Sequence, residues 1–184
     1  MTGKTILPAL LALPLLVGAC ATVPETPAAE PVTIGIIGLN DFHGNLQPVQ
    51  RALEVDGETQ VQAGGAAYLA SAIDTLRAEH ENSLVISAGD LISASPLVSS
   101  LFLDEPTVGA MNRIGLDFNA VGNHEFDRGW RELKRLAEGG CEKLTMREPC
   151  AVEPDYAGAQ FDFLAANVLA APDIAQGSTL FPGT

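Results

Sequence analysis

An α/β domain with parallel strand pairs is what this chain predicts, on three observations. Short apolar, β-branched runs alternate with amphipathic helical patterns between residues 32 and 168. Each of the first three runs ends in a polar cluster rich in Asn, Asp, His and Gly, as strand-to-loop exits do. Of the 184 residues, 47% are hydrophobic, enough to bury a core of ordinary domain size.

In order, residues 32–39 read as a strand buried on both faces. Gly35 and Gly38 lack the G-x-G-x-x-G spacing, so a dinucleotide fingerprint is rejected. Residues 65–79 form a helical pattern with Leu69, Ala72, Ile73 and Leu76 on one face and Asp74, Arg77 and Glu79 on the other. Residues 83–87 are a second short buried strand. Asp104-Glu105-Pro106 reads as a helix start with a capping side chain, an acid and a first-turn proline, setting Val108, Met111 and Ile114 on one face, and Gly115 ends that helix. Residues 117–121 are a third strand, 128–137 a helix and 163–167 a fourth strand. Trp130 is expected to pack within its helix, and Arg128, Arg131, Lys134 and Arg135 to form a solvated face paired with Glu132 and Glu138.

Charge narrows the function. Lys and Arg number 10 against 23 Asp and Glu, a net charge of −13, which excludes a nucleic-acid binder, because phosphate backbones are held by clustered cations. Phosphate chemistry is not excluded, since a bound metal supplies positive charge locally. With three His and three Cys, a metal centre here must also recruit carboxylate or amide oxygens.

Residues 1–19 carry Lys4, an apolar run from Ile6 to Val17 and small residues before Cys20, and they read as an export signal. The run is shorter than the ~20 residues that span a bilayer and contains Pro8 and Pro14. Val17-Gly18-Ala19-Cys20 resembles a bacterial lipoprotein box, which implies lipidation of Cys20; Ala21 after it is associated, in that resemblance, with outer-membrane sorting. The expectation is a domain anchored through Cys20 on the periplasmic side of the envelope. Residues 20–31, rich in Pro, Ala and Glu, read as a tether, and 32–184 as the domain portion. In an oxidising envelope Cys141 and Cys150 are expected to pair, stapling a surface loop with Gly139, Gly140 and Pro149; a metal role would need further Cys or His nearby.

The chemistry lies in the three exits: Asn40-Asp41-Phe42-His43-Gly44-Asn45, Gly89-Asp90, and Gly122-Asn123-His124-Glu125-Phe126-Asp127. Carboxyl ends of parallel strands share one edge, so the three converge and offer oxygen from Asp41, Asp90 and Asn123 with imidazole from His43 and His124. That set suits Zn, Mn, Mg or similar divalent ions. Asp127, three residues after His124, can accept an imidazole N–H and fix the ring's tautomer. His80, at a helix end, is assigned no role.

D-x-H, G-D and G-N-H-E in this order, with the fuller strings LNDFHGNLQP, GGAAYLAS, SAGDLISASP and AVGNHEFDRGW, resemble the bacterial 5′-nucleotidase and UDP-sugar hydrolase branch of the calcineurin-like metallophosphoesterases. The resemblance implies the N-terminal part of a four-layer α-β-β-α sandwich. It implies two divalent ions, with Asp41 and His43 on the first, Asp90 bridging, and Asn123 on the second. His124 would lie beside the phosphate with Asp127 as partner, Glu125 having a supporting part. Nucleotides or related phosphate esters are the implied substrates, cleaved by activated water. The family's later His-bearing blocks and nucleoside-binding domain have no match here, so the chain is expected to be a truncated portion, weakly active or inactive alone. Alternative readings are a thiosulfohydrolase or cyclic-nucleotide phosphodiesterase on the same fold, or a non-catalytic metal-binding envelope lipoprotein. Oligomeric state is not read from the sequence.

Overall fold

Parallel strands need crossover connections, and the helical patterns between the apolar runs supply them. The computed structural model describes residues 30–169 and residue 181. It contains β1 (Gly35–Leu39), β2 (Leu53–Val55), β3 (Thr59–Val61), α1 (Gly65–Arg77), β4 (Ser83–Ser87), α2 (Leu97–Ser100), α3 (Glu105–Ile114), β5 (Phe118–Ala120), α4 (Trp130–Glu138) and β6 (Asp162–Leu164). The main sheet has the order β1-β4-β5-β6, all parallel, with Ile37 opposite Val85, Ile86 opposite Phe118 and Asn119 opposite Phe163. The fold class is as expected, α/β with a parallel sheet. The segment 1–29, with the export signal, Cys20 and most of the tether, lies outside the described residues. Among those described, no helix is long and apolar enough to cross a membrane.

One expectation about β1 is corrected. Among the described residues it is an edge strand, pairing only with β4, and it is covered on one side: Ile37 is 8% exposed but Ile36 is 67% exposed. A continuous β-branched run does not report which face is covered; the pairing partners decide it. The core lies on the covered side, where Ile73 of α1, Val108, Met111 and Ile114 of α3, and Leu133 and Leu136 of α4 meet Ile37, Val85 and Phe163 of the sheet.

In α1 the inward line runs Gly65, Leu69, Ile73 and Arg77 at four-residue spacing, whereas Ala72 is exposed and Leu76 is 43% exposed, so the expected apolar face is narrower than predicted. Arg77 ends that line by donating to the carbonyls of Ile114 and Gly115, tying the end of α1 to the end of α3. Gly115 stands at φ 77°, the left-handed conformation that terminates helices and favours glycine. The hairpin β2–β3 was not anticipated, although Asp56-Gly57, both with positive φ (59° and 76°), is a strong hairpin-turn signal.

The start of α3 also departs from expectation. Asp104 precedes the helix, but its side chain makes no cap bond and is fully buried, directed elsewhere. The basic run near α4 is a solvated face only in part: Arg131 is exposed and Lys134 pairs with Glu138 as expected. Arg135 is buried and ion-paired to Glu105 and Glu132, and Arg128 precedes the helix and pairs with Asp104. Trp130 is half-buried with the Arg131 guanidinium 5.0 Å from its ring centre. Cys141 and Cys150 are joined by a disulfide that closes the loop after α4.

Candidate metal centre

Parallel pairing continues past the ends of β1 and β4 and sets the three exits side by side. Asp41, His43 and Gly44 donate backbone N–H bonds to the carbonyls of Gly89, Asp90 and Leu91 at 3.0–3.1 Å. The second and third exits meet through two glycines. A Cβ on Gly89 would lie 2.7 Å from the Gly122 nitrogen, and one on Gly122 would lie 2.2 Å from Asp90 Oδ1, so both positions exclude a side chain. Among the described residues nine non-glycine residues have positive φ, and seven of them (Asp41, His43, Asp90, Ser93, Ala94, Leu103, Asp104) lie in these loops or at the start of α3. Such conformations cost about 1–3 kcal/mol each and persist only where the surroundings impose them, which marks this edge as the functional one.

Within it His43, Asp90 and His124 each present a ligating atom, all within 4.8 Å of one another, and the two imidazoles stand edge to face with centres 5.0 Å apart. His43 Nδ1 lies 2.9 Å from the Ser93 carbonyl, and His124 Nδ1 lies 2.9 Å from Asp127 Oδ2. A carbonyl can only accept, so the neutral His43 ring carries its hydrogen on Nδ1 and keeps the Nε2 lone pair free; the Asp127 carboxylate imposes the same tautomer on His124. Both rings are thus held as ligating histidines usually are. The bond to Asp127 is the main cause of an upward shift in the His124 pKa; partial desolvation opposes it, and the charges of Asp127, Asp90 and Glu125 add to it.

The other expected residues are placed less tightly. Asp41 stands beside the group with Oδ1 3.7 Å from His43 Nε2, its side chain 58% exposed and accepting from the Asn40 amide. Asn123 is exposed immediately before a single 3₁₀ turn, His124–Phe126. Asp90 Oδ1 accepts the His124 backbone N–H at 3.0 Å, which aims the carboxylate between the two rings. Two imidazoles with one or two carboxylates form a donor set of the type that holds Zn or Mn, so the residues present fit a divalent cation.

The resemblance gave Glu125 only a supporting part, and the structure gives it a definite task. Its carboxylate is buried and accepts N–H bonds from Asp90 (2.9 Å), Leu91 (2.8 Å) and Gly122 (2.9 Å), and from the Asn119 amide (3.3 Å). It clamps the second exit to the third. Burial raises its pKa, and these four donors offset only part of that rise. The available signal was an acid set between His124 and Phe126 in an exit flanked by Gly122 and Gly129. Asp104, Arg128 and Ser93 were not identified as site-supporting residues at all.

With this geometry in view, the relatives are informative. The sequence profile of calcineurin-like phosphoesterases matches residues 34–164. The chain therefore belongs to the calcineurin-like phosphoesterase family. An uncharacterised protein in the pqq-V 5′ region of Acinetobacter calcoaceticus is 50% identical over 183 residues, 94% of this chain and 88% of that one. The NAD 5′-nucleotidase of Haemophilus influenzae is 33% identical over 132 residues, 71% of this chain and 22% of the relative. The crystal structure of a 5′-nucleotidase precursor from Thermus thermophilus superposes with TM-score 0.59 and 28% identity over 80% of this chain and 24% of that one. The chain thus spans less than a quarter of the length of these two nucleotidases, and most of the uncharacterised relative.

Proposed function

We propose that the chain carries part of a divalent-metal site in an exported phosphate-ester hydrolase that acts on nucleotides. The observation that carries this is the convergence of His43, Asp90 and His124, with both rings fixed through Nδ1. The names of the nucleotidase relatives supply the substrate class. When bound, a divalent cation supplies positive charge to phosphoryl oxygens and acidifies water.

The chain's own residues do the remainder. His43 and Asp90 would hold the cation, with Asp41 beside them, and Asn123, exposed just before the 3₁₀ turn, would serve a second cation. His124, whose pKa is raised chiefly by Asp127, holds a proton on the side of the site facing substrate and stabilises negative charge on the phosphoryl group or the departing oxygen. Asp127 orients that ring. The cluster of carboxylates makes the site attractive to cations first and to anions only once a cation has arrived. Export by residues 1–19 and anchoring through a lipid on Cys20 at the periplasmic side belong to the same proposal, supported by the sequence pattern described above.

Phosphate release from 5′-AMP, with and without Mn²⁺, is the test. Slow turnover that requires Mn²⁺ and falls at least about a hundredfold in Asp90→Asn is expected. Turnover indifferent to chelation and to that substitution would overturn the reading.

A further inference from the structure

We propose that Asp104, acting with Arg128, is a positioning residue for the metal centre, setting the tautomer and direction of His43 through the Ser93 carbonyl. Asp104 lies at the start of α3 and Arg128 just before α4, and neither is an expected ligand.

The contacts form a continuous path. Asp104 is fully buried, and its carboxylate turns away from the helix it precedes: Thr107 N–H bonds to the Asp104 backbone carbonyl, not to the side chain. Oδ1 accepts the Ser99 hydroxyl at 2.7 Å, and Oδ2 accepts the Ser93 N–H at 3.1 Å and Arg128 Nη1 at 2.5 Å. Arg128 Nη1 also donates to Ser93 Oγ at 3.1 Å. Ser93 is therefore gripped at both its N–H and its hydroxyl. Its carbonyl is directed toward the site, where it accepts His43 Nδ1 at 2.9 Å and the Ser95 hydroxyl at 3.2 Å.

Two features show that this grip is needed. Ser93 and Ala94 have φ of 65° and 48°, conformations that non-glycine residues hold only under constraint. The turn after His43 rests on the same segment, since a Cβ on Gly44 would lie 2.5 Å from Ser95 Oγ and 2.9 Å from Ser99 Cβ. Release of Ser93 would therefore free both the acceptor that fixes His43 and the surface beneath its loop. Burial opposes charge on Asp104, but the serine hydrogen bonds and the hydrogen bond and charge of Arg128 outweigh it, so the carboxylate stays ionised. Arg128 follows Asp127 directly, so the pair also links the loop of His43's acceptor to the loop that holds His124.

The proposal rests on the metal-centre reading for one of its two readouts, and the other needs no metal. In the metal-free full chain near pH 8, long-range ¹⁵N–¹H correlation spectra report the His43 tautomer, and calorimetric titration with Mn²⁺ reports affinity. Wild type is expected to show the Nδ1–H form. Asp104→Asn and Arg128→Gln are expected to show mixed tautomers and Mn²⁺ affinity lower by about ten- to a hundredfold, with Arg128→Lys recovering most of both. Should Asp104→Asn fail to fold, Arg128→Gln decides, because that side chain is 21% exposed and its loss leaves a smaller defect. Wild-type tautomer together with Mn²⁺ affinity within twofold in a folded variant, even one with a lowered melting temperature, would overturn the proposal. If wild type binds no Mn²⁺, the metal-centre reading fails, while the tautomer comparison still decides this one.

Discussion

Two neighbouring carboxylates, Asp104 and Glu105, open α3 and lead into different buried ion networks. Asp104 turns toward the loops of the metal centre and meets Arg128 and Ser93. Glu105 turns the other way: it pairs with Arg135 at 2.9 Å and accepts the Cys150 N–H at 2.9 Å, while Arg135 also holds Glu132 and the Gly140 carbonyl and lies 5.4 Å over the Tyr156 ring. The second network joins α3, α4 and the disulfide loop, and none of its bonds reaches His43, Asp90 or His124. Buried ion pairs are weak evidence for stability but strong evidence for constraint, and here the same device constrains the scaffold at one residue and the site at the next.

The sharpest separation of the two networks is Arg135→Met. It leaves Glu105 and Glu132 as unpaired charges, each 1% exposed, and should cost about 3–5 kcal/mol in urea unfolding while the fraction that remains folded binds Mn²⁺ as wild type does. A large loss of affinity in that fraction would merge the two networks. Gly122→Ala comes next and acts on the site: its Cβ would fall 2.2 Å from Asp90 Oδ1, so a stability loss of about 1–3 kcal/mol with at least about a tenfold loss of Mn²⁺ affinity is expected by titration calorimetry.

The smallest effect is a pH signature. The Asp104 carboxyl lies below its ordinary value when folded, so its contribution is complete above the unfolded value of about 3.9 and is lost as pH falls through the lower folded value. The stability gap between wild type and Asp104→Asn should therefore hold constant above about pH 5 and narrow below about pH 4. A gap that widens on acidification would show that Asp104 is not held ionised.

These comparisons also show what the sequence could disclose. Alternating apolar runs and helical patterns were enough to place β1, β4, β5 and β6 in a parallel sheet and to bring residues 40–45, 89–90 and 122–127 to one edge, because strand polarity dictates where the exits lie. The ligating types were legible for the same reason. Arg135 was misread because a periodic pattern counts every charge as solvent-facing, and only the partners from α3 and α4 together show that Glu105, Glu132 and Arg135 neutralise one another inside. Asp104 was misread as a helix cap because local spacing is satisfied equally by a side chain that caps and one that turns to a loop 11 residues back. Glu125 received only a general supporting part, since its four donors come from two separate segments, a convergence that exists only after folding.

The central claim is that His43 and Asp90, with His124 alongside, form the site of a divalent cation. Calorimetric titration of the full chain with Mn²⁺, run beside Asp90→Asn, tests it most directly. The account predicts saturable binding in wild type and a loss of at least about tenfold in the variant with an unchanged fold. Equal affinity in the two proteins, or no saturable binding in wild type, would contradict it.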